Sequence, residues 1–144
     1  MQLPIKAHYA VLAMLALAMR HRSGDLLAAR TIAAQQRIPS QFLGQILQQL
    51  RMAGLILSTR GSSGGFRLAQ DPEKISLAQV LEAVGLNPSG GQNPLSINHE
   101  DPLALVVQDI WQDLANLQSD FLQQHTLEEL VQRVSSDPAG MFYI

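Results

Sequence analysis

The fold class this sequence predicts is mainly α-helical with a single two-stranded hairpin. Three observations predict it. Ser40 to Met52 has a helical stripe of Phe42, Leu43, Ile46, Leu47 and Leu50. A shorter helical segment, Ile32 to Arg37, precedes it across the break Ile38-Pro39. After it, Leu55 to Arg60 and Phe66 to Leu68 flank Gly61-Ser62-Ser63-Gly64-Gly65, a turn too rich in glycine for a helix and suited to a hairpin tip. Helix, tight turn, helix and a hairpin with arginine at its base form the plan of a winged helix-turn-helix. Such a unit places its second helix in the major groove of DNA.

The other elements follow in chain order. Lys6 to His21 reads as a helix that is apolar nearly all round, through Tyr9, Val11, Leu12, Met14, Leu15 and Leu17, and so as one buried on several sides. Ser23-Gly24-Asp25 breaks it, and Leu27 to Arg37 forms the first helix of the pair. Pro39 removes a backbone donor and forces the turn, and Ser40 is the expected N-cap of the recognition helix. Gly54 is placed to end that helix in the left-handed conformation. Ala69 to Pro72 closes the wing, and Ser76 caps a short helix from Leu77 to Val84. Gly85 to His99, with its Gly, Pro and Asn content, reads as a linker.

Asp101-Pro102 then opens a long helix running to about Gln124, with proline in the first turn and an acid at the cap. Leu103, Val106, Val107, Ile110, Trp111, Leu114, Leu117 and Phe121 recur along it at three- and four-residue steps. A stripe of this length has no obvious partner within a small winged domain, and the economical partner is a second copy of itself. Leu103, Val107, Ile110, Leu114, Leu117 and Phe121 are therefore the expected dimer interface; the plain alternative is that the stripe folds back on its own domain. Thr126-x-x-Glu129 reads as a capping box opening a last short helix to Val134, and the tail from Asp137 to Ile144 is apolar at its end. The expected organisation is a DNA-binding domain over 1–84, a linker over 85–99, and a dimerisation helix with the short C-terminal helix over 100–144.

An apolar fraction of 47% with 15% charged residues describes a globular chain, and the 144 residues suffice for one core with room for a small second element. There is no cysteine, which excludes disulfides and any thiolate-held zinc or iron–sulfur site. The longest apolar run, Tyr9 to Met19, is too short to span a bilayer and ends on Arg20-His21-Arg22, so it reads as a buried helix rather than a signal peptide. The expected location is the cytoplasm, with no membrane partner. The net charge of −2 conceals an asymmetry. Residues 1–75 hold nine of the ten lysines and arginines, and residues 76–144 hold nine of the twelve acids. A basic half beside an acidic half implies that the first half faces a polyanion.

Within that half, Arg60 stands where the strand meets the glycine turn, beside Gly61, placed to enter a narrow minor groove. Gln41 and Gln45 can pair with adenine edges through bidentate amide contacts, and Gln48 lies one turn further along. Arg51, Arg67 and Lys6 read as phosphate contacts, and Ser40 can bond a phosphate as well as cap its helix. For each glutamine the competing reading is a solvated face. No metal is expected, His8 and His99 being the residues a metal or pH sensor would use. His99-Glu100-Asp101-Pro102-Leu103 is not a zinc-protease motif, because Leu103 occupies the second histidine's place. Gly61-Ser62-Ser63-Gly64-Gly65 lacks the lysine of a phosphate-binding loop, and no nucleophile elbow occurs, so no enzymatic activity is expected. Trp111 and the methionines read as core.

The chain resembles the Rrf-type family of bacterial repressors, the IscR-like winged-helix regulators. The resemblance runs from Lys6-x-x-Tyr9-Ala10 through Leu50-Arg51-x-Ala53-Gly54-Leu55 and Arg60-Gly61-x-x-Gly64-Gly65-Phe66-x-Leu68 to Ile75-Ser76-Leu77-x-x-Val80, Trp111-x-x-Leu114 and Thr126-Leu127-x-x-Leu130-Val131. It implies a homodimer that binds an imperfect palindrome in double-stranded DNA and regulates transcription, most simply as a repressor. It implies base contacts at the positions of Gln41, Gly44 and Gln45 and a wing that reaches the minor groove through Arg60. Two departures matter. Gly44 replaces a residue that is often acidic in such regulators, which points to a different or looser target. The linker lacks the cysteines that hold an iron–sulfur cluster in many of them, so no cofactor is expected, and a regulatory protein or a small-molecule effector takes the cluster's place. A winged-helix adaptor whose output depends on a partner protein is the alternative function.

Overall fold

The structure, a computed structural model, describes residues 3–88 and 98–136. Its order is α1 (Ile5–Met19), α2 (Ala29–Gln36), α3 (Ser40–Met52), β1 (Ile56–Thr59), β2 (Gly65–Leu68), a 3-10 turn (Pro72–Lys74), α4 (Leu77–Ala83), α5 (Pro102–Gln124) and α6 (Leu127–Ser135). The winged helix-turn-helix is present as the sequence predicts, with β1 and β2 antiparallel in the register Ile56↔Leu68, Leu57↔Arg67, Ser58↔Phe66 and Thr59↔Gly65.

α1 is the axis on which α2, α3, α4, α6 and β2 pack. Its small residues allow this: Ala7, Ala10, Ala13 and Ala18 are buried with Met14 and Leu17, so neighbouring backbones approach closely. α2 and α3 supply Ile32, Leu43, Ile46, Leu47 and Leu50 to the same core, and the hairpin supplies Ile56 and Leu68. Fully burying one such side chain contributes about 1.5–3 kcal/mol.

Four local expectations are corrected. Leu27 is not helical: it exchanges hydrogen bonds with Phe66 of the wing, at 3.0 Å and 2.8 Å, and α2 starts two residues later. Ser40 is the first helical residue of α3 rather than its cap. Pro39 holds the cap position, and no side chain caps that end. Thr126 does accept the Glu129 N–H at 3.2 Å, but the Glu129 carboxylate turns away to His125 at 2.7 Å and Arg133 at 3.0 Å, so the capping box is half made. The His125 hydrogen bond is the main influence holding the Glu129 carboxyl below its ordinary value. Trp111, Met19 and Met52 are exposed, and of the methionines singled out as core only Met14 is buried among the described residues.

Two further elements differ in detail. Ser76 caps α4 in a full capping box with Gln79. The start of the linker is ordered against the core, where Leu86 packs and donates its N–H to Leu81 at 2.9 Å. The rest of the linker from Ser89 to Ile97, and the tail from Asp137, lie outside the described residues.

α6 returns to the helical head. Ser76 and Thr126 form an antiparallel bridge, with Leu77 N–H donating to His125 and Leu127 N–H donating to Ile75. Leu127 is fully buried in the core of the first unit, and Arg22 reaches Glu128 at 3.6 Å. The sequence reading grouped this helix with α5; its packing is with α1 and the 3-10 turn.

Candidate nucleic-acid interface

α3 divides its residues cleanly. Leu43, Ile46, Leu47 and Leu50 face inward, while Gln41, Gly44, Gln45, Gln48 and Arg51 are exposed. Ser40, at the start of the same helix, is exposed as well. Gly44 leaves a bare patch between Gln41 and Gln48, and a Cβ built there meets no atom within 4 Å. Packing therefore does not demand glycine at this point. Gly44→Ala is expected to stabilise the fold by about 0.5–1 kcal/mol, read from the urea unfolding midpoint, because glycine inside a helix costs backbone entropy.

The wing is shaped by close backbone approaches. Gly61 has φ 115°, outside the range most side chains accept. A Cβ at Gly64 would stand 2.1 Å from the Thr59 carbonyl oxygen, and one at Gly65 would stand 2.6 Å from that of Leu27. Only glycine fits either position, so the tip folds tightly and presents Arg60 and Arg67 outward, both exposed.

The head's charges sort into two groups. Arg20 pairs with Asp25 at 3.9 Å, Arg22 with Glu128 at 3.6 Å, and His21 with Asp71 at 2.9 Å. Among the described residues, Lys6, Arg30, Arg37, Arg51, Arg60, Arg67 and Lys74 take part in no ion pair. Three of these, Arg30, Arg37 and Lys74, were not among the DNA-contacting residues that the sequence predicts. Arg30 lies in the first turn of α2 and is exposed. Arg37 ends α2 with φ 56°, the one described non-glycine residue at positive φ. An arginine held where glycine or asparagine is cheaper, at the turn between the two helices, was the available signal.

His8 and His99 are both exposed and apart from any ligand set: among the described residues no three His, Asp or Glu side chains come together as a metal site. No described helix is long and apolar enough to cross a membrane.

The long helix shows where a second surface lies. Its sole buried residue is Ala115. Leu103 is 77% exposed, Val107 48%, Ile110 56%, Leu117 68% and Phe121 59%, with Leu114 partly covered. The apolar stripe does not fold back on its own domain.

Known proteins resemble this chain over nearly its whole length. A family model, Rrf2, described as an iron-dependent transcriptional regulator, matches residues 3–133. The HTH-type transcriptional regulator IscR of Photobacterium profundum is 34% identical over 131 residues, covering 91% of this chain and 76% of that protein. IscR of Vibrio cholerae is likewise 34% identical over 131 residues, covering 91% and 75%. Among solved structures, CymR of Bacillus subtilis, titled the global cysteine regulator, superposes with a TM-score of 0.79 at 24% identity, covering 92% of this chain and 98% of that one. CymR of Staphylococcus aureus gives 0.74 at 27% identity, covering 90% and 97%.

Proposed function

This chain belongs to the Rrf2 family of DNA-binding transcriptional regulators, and from that premise we propose that it acts as a homodimeric repressor on a palindromic operator in the cytoplasm. The observation that carries the proposal is the pairing of two surfaces. One is the exposed glutamine row of α3 beside a wing of unpaired arginines. The other is the uncovered apolar stripe of α5. The first fits a groove, and the second fits a copy of itself, which would present two heads to two half-sites one helical turn apart.

In this reading Gln41, Gln45 and Gln48 face base edges, with Gly44 leaving one step unread. Arg60, beside Gly61, enters the minor groove. Ser40, Lys6, Arg51 and Arg67 hold phosphates and fix the register, and Arg30 and Arg37 extend that phosphate-binding rim. The family description names iron, but the residues present do not fit a thiolate-held cluster, since the chain has no cysteine. In this reading the signal comes through another ligand or a partner protein rather than through such a cluster.

Titration of a duplex carrying the operator against salt tests the reading. Log affinity falls with log salt at a slope steeper than about −4 when five or more phosphates are neutralised. Arg60→Ala weakens binding by about 1–3 kcal/mol. A flat salt response, with affinity the same in the variant, would favour the adaptor function instead.

A further inference from the structure

α5 is 23 residues long, yet Ala115 is its sole buried residue, so its packing against α4 gives it little hold on the head. The joint at its C-terminal end is built differently. His125 stands between α5 and α6 in extended backbone, with φ −92° and ψ 123°. Its carbonyl accepts the Leu77 N–H at 2.9 Å, which ties this point to the head. Its side chain touches both helices. The ring lies against Phe121, one turn back in α5, with centroids 4.2 Å apart and planes tilted by 50°. Its Nδ1 donates at 2.7 Å to the carboxylate of Glu129, in the first turn of α6. A carboxylate only accepts, so Nδ1 carries the hydrogen. Glu129 accepts from Arg133 as well, at 3.0 Å, which holds the carboxylate in place from the other side.

We propose that His125 is a positioning residue for operator recognition: it fixes the angle at which α5 leaves the head, and through two paired α5 helices the half-site spacing that the dimer accepts. A contact within one helix could not do this. His125 lies outside both helices, at an element-terminal position of the kind where hinges move. One flat ring holding the last turn of α5 and the first turn of α6 removes that freedom. The bridge between Ser76 and Thr126 fixes where the joint sits, and the ring fixes the direction in which α5 departs. Imidazole meets both demands, with an aromatic face for Phe121 and an N–H for Glu129. Phe121 also belongs to the apolar stripe, so the clamp reaches the proposed seam. One added base pair turns the second half-site by about 35° about the DNA axis, a change that a stiff joint does not follow. This role rests on the dimeric DNA-binding reading; the clamp within one chain does not.

Operator duplexes whose half-site spacing is varied one base pair at a time test the proposal, with a single half-site as control. The unaltered chain is expected to prefer one spacing by about tenfold or more, because affinity from double engagement is lost when geometry forbids it. His125→Ala is expected to lower that preference to about twofold. Sedimentation velocity should still show the dimer, circular dichroism the same helicity, and the single half-site the same affinity. His125→Asn, whose amide N–H stands near the place of Nδ1, is expected to recover part of the preference. Glu129→Ala leaves the backbone N–H that Thr126 caps; it is expected to match His125→Ala and replaces it should that variant not fold. A full spacing preference in either alanine variant, or no recovery with asparagine, would overturn the proposal. The joint is also read without DNA. The chain has no cysteine, so Gln35→Cys in α2 and Asp109→Cys in α5, both exposed, accept spin labels at those two places alone. Mixing with excess unlabelled protein confines the measured distance to one chain. His125→Ala is expected to broaden the distance distribution, and an unchanged distribution would overturn the clamp. If the unaltered chain binds no duplex at any spacing, the DNA-binding reading falls, and this distribution decides the clamp by itself.

Discussion

Ile110→Asp is expected to convert the protein into a folded monomer that loses its operator at concentrations where the unaltered chain binds. Ile110 lies at the middle of the α5 stripe and is 56% exposed in the single chain. Aspartate there costs the isolated subunit little, because the side chain already meets water. In a paired stripe the same carboxylate enters an apolar seam without a cation, and an uncompensated buried charge costs several kcal/mol. Each copy of the dimer carries the change, so the seam takes the penalty twice. A monomer holds one half-site at a time and forfeits the gain from simultaneous engagement, a factor of about 10² or more in apparent affinity. Sedimentation velocity checks the oligomeric state, far-ultraviolet circular dichroism checks the fold, and an operator titration checks the binding. A variant that stays dimeric with full affinity would remove α5 as the pairing surface.

Gly65→Ala is expected to cost about 1–3 kcal/mol of stability, the usual range for forcing atoms into a filled site. The added methyl would collide with backbone rather than a movable side chain: the Leu27 carbonyl oxygen at 2.6 Å and its carbon at 2.7 Å. The two hydrogen bonds between Leu27 and Phe66 would have to open, freeing the wing from the segment before α2. Operator affinity should fall with the stability, since Arg60 and Arg67 are held by that hairpin. Chemical denaturation of this variant alongside Gly44→Ala gives the contrast: one glycine is required by its neighbours, the other by none of them.

The elements that repeat locally were legible in the sequence. The limits of α3, the hairpin and the long helix from Pro102 to Gln124 follow from the spacing of apolar residues and from Pro39, Gly54 and Pro102. The contacts that join distant segments were not. Leu27 pairs with Phe66 and Ser76 with Thr126 through isolated bridges, which leave no alternation in the sequence. Leu127 looks like any helical leucine until the bridge beside it places it in the core. Trp111 reads as core because its period matches the stripe, yet the stripe faces outward. At the interface the glutamine row was visible as a face. The unpaired state of Arg30 and Arg37 appears only once the partners of Arg20 and Arg22 are seen.

The bridge between Ser76 and Thr126 ties the C-terminal end of α5 to the head, and α4 packs against the same helix. A strut held at that end turns with its own head. Its 23 residues span about 35 Å, so a tilt of roughly 10° at one end displaces the other by about 6 Å. In the proposed dimer, the angle at which two such struts cross would set the reach between the two heads, and a change in that angle would take them out of step with the helical repeat of DNA.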